Sequence, residues 1–134
     1  MKLATLRTGF GTSAIRIDGD NVGVELDYED VGQLLRSEDW RKAAQLSGEP
    51  VVFDHADLEA VVPNPGKIIC VGLNYAKHIR EMGREFPEHP TLFIKFADAL
   101  TGPYDDVFIP EFATQKLDYE GELAVIIGER AHRV

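Results

Sequence analysis

Pro63-Asn64-Pro65-Gly66 divides the chain. The two prolines lock φ and withhold two backbone donors, so neither a helix nor a central strand can run through them. Two units are therefore expected, a small N-terminal β-rich domain over 1–62 and a second domain over 63–134. Before the break, polarity alternates along Lys2–Arg7, again around Ile15 and Ile17 in Ser13–Asp18, and again along Val22–Glu25. Alternation returns every second side chain to one face, and Asp18-Gly19-Asp20-Asn21 supplies turn chemistry, so a three-strand meander is expected. From Asp30 to Leu46 the spacing becomes helical, with Val31, Leu34 and Leu35 on one stripe and Trp40, Ala43, Ala44 and Leu46 on the next. Trp40, among alanines and leucines, reads as packing rather than as a ligand platform.

After the break, Lys67–Val71 reads as a strand and Gly72-Leu73-Asn74 as a turn. Asn74 is placed to cap a helix over Tyr75–Met82, and Gly83 to end it. Thr91–Phe96 reads as a further strand, Gly102-Pro103 as a turn and Val107–Pro110 as a short extended piece. The β-branched run Leu123–Ile127 predicts a buried strand. The fold class is α+β and β-rich.

Charge and composition narrow the partners. The 134 residues are 44% hydrophobic, enough for a real core, and carry a formal net charge of −9 without a Lys/Arg cluster, which argues against nucleic acid. The N-terminus has no long apolar stretch and no run approaches a membrane span, so the default compartment is the cytoplasm. Cys70 is the one cysteine, so no disulfide forms within the chain, and its apolar neighbours make it a small buried hydrophobe.

Two groups of residues carry chemistry. In Leu117–Gly128 the strand period points Glu120 and Glu122 to the same side. Adjacent carboxylates repel and resist desolvation, and a divalent cation compensates both; oxygen-only ligation favours Mg²⁺ first, with Mn²⁺ or Ca²⁺ after it. The competing reading is a solvated strand face with two acids. On the helix, His78 and Glu81 lie three residues apart and share a surface, where a carboxylate raises imidazole basicity as a general base requires. Ordinary surface charge is the alternative there, beside Lys77, Arg80 and Arg84. His55, His89 and His132 lack an acidic partner at helical spacing and read as structural or solvent-facing.

Pro65–His78, Thr91–Lys95 and Asp118–Gly128, in that order, resemble the start of the catalytic domain of the fumarylacetoacetate hydrolase family, whose core is a mixed β-roll. The resemblance implies that Glu120 and Glu122 supply two ligands to Mg²⁺ or Mn²⁺. It implies that His78 and Glu81 act as a proton-transfer pair on a lid helix, and that Lys95 contacts substrate. The implied reaction is metal-dependent hydrolysis of a carbon–carbon bond in a small 2-oxo or 1,3-dicarbonyl acid, such as an acylpyruvate or a fumarylacetoacetate-like substrate. Isomerisation, decarboxylation or hydration of related acids would use the same metal and enolate. A homodimer is implied for the complete protein. The resemblance implies a third metal carboxylate, an Asp roughly thirty residues beyond the E-x-E pair, whereas Val134 stands only 12 positions after Glu122. The first part of a longer enzyme is therefore expected, with a non-catalytic assembly piece as the alternative from another class. A calcium-binding module ranks last, since no dense Asp/Asn/Gly loop is present.

Overall fold

The computed structural model describes residues 1–134 and is α+β and strand-rich. Strands β1 (Lys2–Thr8), β2 (Gly11–Gly19), β3 (Val22–Glu25) and β4 (Pro50–Val52) form one antiparallel sheet in the order β1-β2-β3-β4. The meander expected from the alternation is present and gains β4 as a fourth strand. Gly9-Phe10 closes the first hairpin, between paired Thr8 and Gly11, and Asp20-Asn21 the second. Asn21 takes the left-handed φ of 59° that this tight turn demands, and its side-chain amide donates to the Phe53 carbonyl at 3.0 Å. Gly23 is obligatory for another reason: a Cβ there would stand 2.6 Å from the Arg16 carbonyl oxygen.

Both faces of this sheet are covered. One face contributes Ala14 to a core with Leu26, Val31, Leu34 and Ala44; the other contributes Ala4, Leu6 and Ile15 to a core with Phe53. Strand period two explains the division, since Ala4 and Leu6 alternate with Thr5. Thr5 is fully buried, and its hydroxyl is used twice: it donates to the Val61 carbonyl at 2.8 Å and accepts from the Val31 amide at 3.1 Å. That amide belongs to the first turn of helix α1, where a donor has no intrahelical partner, so one side chain joins β1, α1 and the segment before Pro63. The free edge of β1 is closed by a bridge from Leu6 to Leu58 and by the Glu59 amide bonding the Thr5 carbonyl.

The continuous helical pattern over Asp30–Leu46 resolves into two short helices, α1 (Val31–Leu35) and α2 (Trp40–Ala43). The reason is in the stripe itself: the positions that continue Val31, Leu34 and Leu35 are Glu38 and Asp39, which cannot be buried there. Asp30 caps α1 by accepting from the Gln33 amide at 2.7 Å.

The chain separates into two compact units, residues 1–63 together with 101–134, and residues 64–100. The expected domains of 1–62 and 63–134 followed sequence order, whereas in space residues 101–134 group with the N-terminal sheet. The smaller unit holds strand β5 (Ile68–Gly72), helix α3 (Ala76–Glu81) and strand β6 (Thr91–Lys95), with β5 and β6 antiparallel.

One expected strand is absent. Leu117–Gly128 is in no strand, and Val107–Pro110 joins no ladder. A β-branched run becomes a strand only when another backbone satisfies its amides, and no strand of the chain pairs with this one. Cys70, expected buried, is partly exposed. No helix is long and apolar enough to cross a membrane.

Candidate active site

Helix α3 presents the histidine–glutamate pair. Its end is built by a Schellman arrangement: the Gly83 amide bonds the Arg80 carbonyl at 3.0 Å and the Arg84 amide bonds the Ile79 carbonyl at 3.1 Å. Gly83 has φ +65°, which a glycine adopts without steric cost. The expected cap at the other end is corrected. Tyr75, not Asn74, is the N-cap and makes no side-chain capping bond, because Leu73 turns the chain with φ 53° and leaves Tyr75 extended at the helix entrance. Ile79 is the one buried residue of α3, while His78 and Glu81 are exposed. Glu81 lies 3.7 Å from the Lys77 ammonium, a pairing across one helical turn, and not against the His78 imidazole. The local geometry thus places His78 and Glu81 on one short helix, with the carboxylate engaged elsewhere.

Lys95 ends β6 opposite Ile68, exposed, with its ammonium 5.9 Å from the centre of the Phe93 ring on the same side of the strand. Period two accounts for that contact.

Glu120 and Glu122 belong to the other unit, in an exposed segment outside any ladder. The strand that was to align them is not formed, so their common face has no ladder to enforce it. No group of three or more His, Cys, Asp or Glu side chains is gathered in a way that could hold a metal ion. Two exposed carboxylates match a hard divalent cation in donor type but not in number, since Mg²⁺ takes six oxygens.

Sequence reasoning missed a charged network in the same unit. The Arg7 guanidinium donates through Nε to Glu59 at 2.8 Å and through its two terminal nitrogens to Asp105 at 2.7 and 2.5 Å. Asp105 also accepts from the Gly102 amide at 2.7 Å. These bonds hold the Asp105 carboxyl down at about 2 and the Glu59 carboxyl below its ordinary value, with Arg7 as the leading cause for each. No local sequence signal links Arg7 to a residue so far along the chain.

The family model for the C-terminal domain of fumarylacetoacetate hydrolase matches residues 67–134, which include every candidate residue singled out above. The chain belongs to this family. Among its relatives, the mitochondrial oxaloacetate tautomerase FAHD2A of Bos taurus is 49% identical over 71 residues, covering 53% of this chain and 22% of that protein. The oxaloacetate tautomerase YisK of Bacillus subtilis (strain 168) is 50% identical over 80 residues, covering 58% of this chain and 27% of that protein. The chain thus spans about a quarter of the length of these fumarylacetoacetate hydrolase family relatives. Among solved structures, a protein described as HpcE from Mycobacterium smegmatis superposes with a TM-score of 0.62 at 27% identity, covering 83% of this chain and 41% of the other.

Proposed function

We propose that this chain is part of an enzyme that interconverts keto and enol forms of a small 2-oxo dicarboxylic acid of the oxaloacetate class. The observation that carries this reading is the similarity of the segment bearing the candidate residues to oxaloacetate tautomerases of both mammalian and bacterial origin. Hydrolysis of a carbon–carbon bond, the reaction first expected, passes through a related enolate, and it stands as the second reading because the matched family is named for a hydrolase.

Tautomerisation needs a base at the carbon between two carbonyl groups and a proton donor at the carbonyl oxygen. His78 is assigned the proton: it takes one from carbon, the C–H pair becomes the C=C bond, and the carbonyl π pair moves to oxygen, which is then protonated. Atoms and electrons balance without a co-reactant. Glu81 would orient His78 after release from Lys77, at little cost because an exposed pair at 3.7 Å is weak. Lys95 would neutralise a substrate carboxylate. Glu120 and Glu122 would hold part of the coordination of a Mg²⁺ or Mn²⁺, which would supply Lewis acidity at the substrate's carbonyl oxygen when bound.

The test is made on the full-length protein, following oxaloacetate keto–enol exchange by its enol absorbance with calorimetry of Mn²⁺ binding in parallel. His78→Ala should lower kcat about a hundredfold while Mn²⁺ still binds, the usual scale for losing a general base. Glu120→Gln and Glu122→Gln should each weaken Mn²⁺ binding. Full turnover in His78→Ala together with unchanged Mn²⁺ affinity in both glutamine variants would overturn the assignment. Cleavage of an acylpyruvate outpacing tautomerisation would replace it by the hydrolytic reading.

A further inference from the structure

Residues 64–100 form a unit of their own, so the chain leaves the larger unit after Pro63 and returns to it at Thr101. Two stems result, one ending at Pro63 and one starting at Thr101, and both are held on β1. The first lies against the strand through the bridge from Leu6 to Leu58, the Glu59 amide bonding the Thr5 carbonyl at 2.9 Å, and the Thr5 hydroxyl donating to the Val61 carbonyl at 2.8 Å. The second joins no ladder and is held by side chains. Arg7 Nε donates to Glu59 on the first stem at 2.8 Å, while its terminal nitrogens donate to Asp105 on the second at 2.7 and 2.5 Å. One planar guanidinium therefore spans both stems, with all three nitrogens committed.

Two further contacts join the stems without Arg7. A Cβ on Gly102 would stand 2.7 Å from the Leu58 carbonyl oxygen, so the second stem passes the backbone of the first more closely than a side chain permits. The Gly102 amide also bonds Asp105 at 2.7 Å, which closes the turn that presents this carboxylate to Arg7. Beside it the Tyr104 hydroxyl lies 3.3 Å from Nδ1 of His55, in the single-turn helix His55–Asp57 that precedes Leu58. All of these partners belong to the larger unit. Groups that share one partner are energetically coupled, and a guanidinium pulled from one carboxylate loses the geometry that fits it to the other. We propose that Arg7 is a staple that makes one joint of the two stems, so that the unit bearing His78, Glu81 and Lys95 is attached to the N-terminal sheet by a single element that opens and closes as one, rather than by two independent linkers.

Amide hydrogen exchange of the full-length protein, read over 58–62 and 101–106, tests this. Asp105→Asn, a change on the second stem, should speed exchange on the first about fivefold, the upper range for a partly exposed ion pair, and Glu59→Gln should do the same to the second. Gly102→Ala leaves every charge in place but presses on the Leu58 carbonyl, and should loosen both stems alike. Arg7→Lys, which keeps the charge and loses the fork, should also loosen both. Asp18→Asn, which breaks the separate pair with Arg16, should leave both stems at the parental rates, and so distinguishes opening of the joint from a general loss of stability. Effects confined to the stem that carries the substitution, in Asp105→Asn and Glu59→Gln alike, would show two independent linkers and overturn the proposal. Equal loosening by Asp18→Asn would overturn it as well.

Discussion

Arg7 is the residue on which the charged structure of the larger unit turns, because one guanidinium satisfies two carboxylates from distant parts of the chain. Its influence on Asp105 has a definite sign. Binding to Arg7 lowers the folded-state carboxyl from 3.8 to about 2, so the folded protein holds fewer protons than the unfolded chain in that interval. Stability from this pair is therefore complete above about pH 4 and drains away as the pH falls through about 2. Glu59, lowered by the same guanidinium, acts in the same direction, while Arg7 stays charged throughout. Asp18, held down by Arg16, adds a similar acid sensitivity elsewhere on the sheet, so the contribution at Asp105 must be read by difference. Denaturant unfolding of the full-length protein followed from pH 5 to pH 2 should show a smaller loss of stability in Asp105→Asn than in the parent, with the two curves converging at the acid end. Parallel curves across that range would mean that the pair contributes nothing measurable.

At the scale of elements, features written in neighbouring residues are legible in sequence and those that need a distant partner are not. The first three strands lie where alternation places them, to within one or two residues, because each buries residues on both faces of a sheet closed by tight turns. The end of α3 is equally local. Gly83 takes φ +65° and a Cβ there would meet nothing within 4 Å, so Gly83→Ala carries a conformational cost without a clash. That substitution should destabilise the end of α3 by about 1 kcal/mol, read as faster amide exchange at Gly83 and Arg84, the donors of the Schellman bonds. Unchanged protection would show that the cap does not hold the helix. The start of α3 was not legible, since the left-handed turn at Leu73 moves the cap from Asn74 to Tyr75. The Leu117–Gly128 segment is the clearest failure of local reasoning: its composition suits a buried strand, but a strand is a relation between two backbones, and the second is missing.

Across the whole molecule, burial is uneven in a way that composition conceals. Both core clusters are built from residues before Pro63, and among residues 64–134 only Ile79 and Gly102 are buried. Every residue of β6 is exposed, and Leu123, Val125 and Ile127 retain 82%, 74% and 72% of their surface. The candidate site residues all belong to this thinly packed part, which is why their types and spacing were readable while their mutual arrangement was not. A two-stranded ladder is marginal by itself, and apolar side chains beside unpaired backbone invite association. A polypeptide limited to residues 1–134 should accordingly self-associate at about micromolar concentration, since burying even a few such side chains is worth about 2 kcal/mol each. It should also bind Mn²⁺ weakly, because two carboxylates leave most of the cation's coordination to water. Sedimentation velocity and calorimetry on that polypeptide check both expectations. A monodisperse monomer that binds Mn²⁺ as tightly as the full-length protein would mean that these residues assemble a complete site and cover their own apolar surface, contrary to the packing described above.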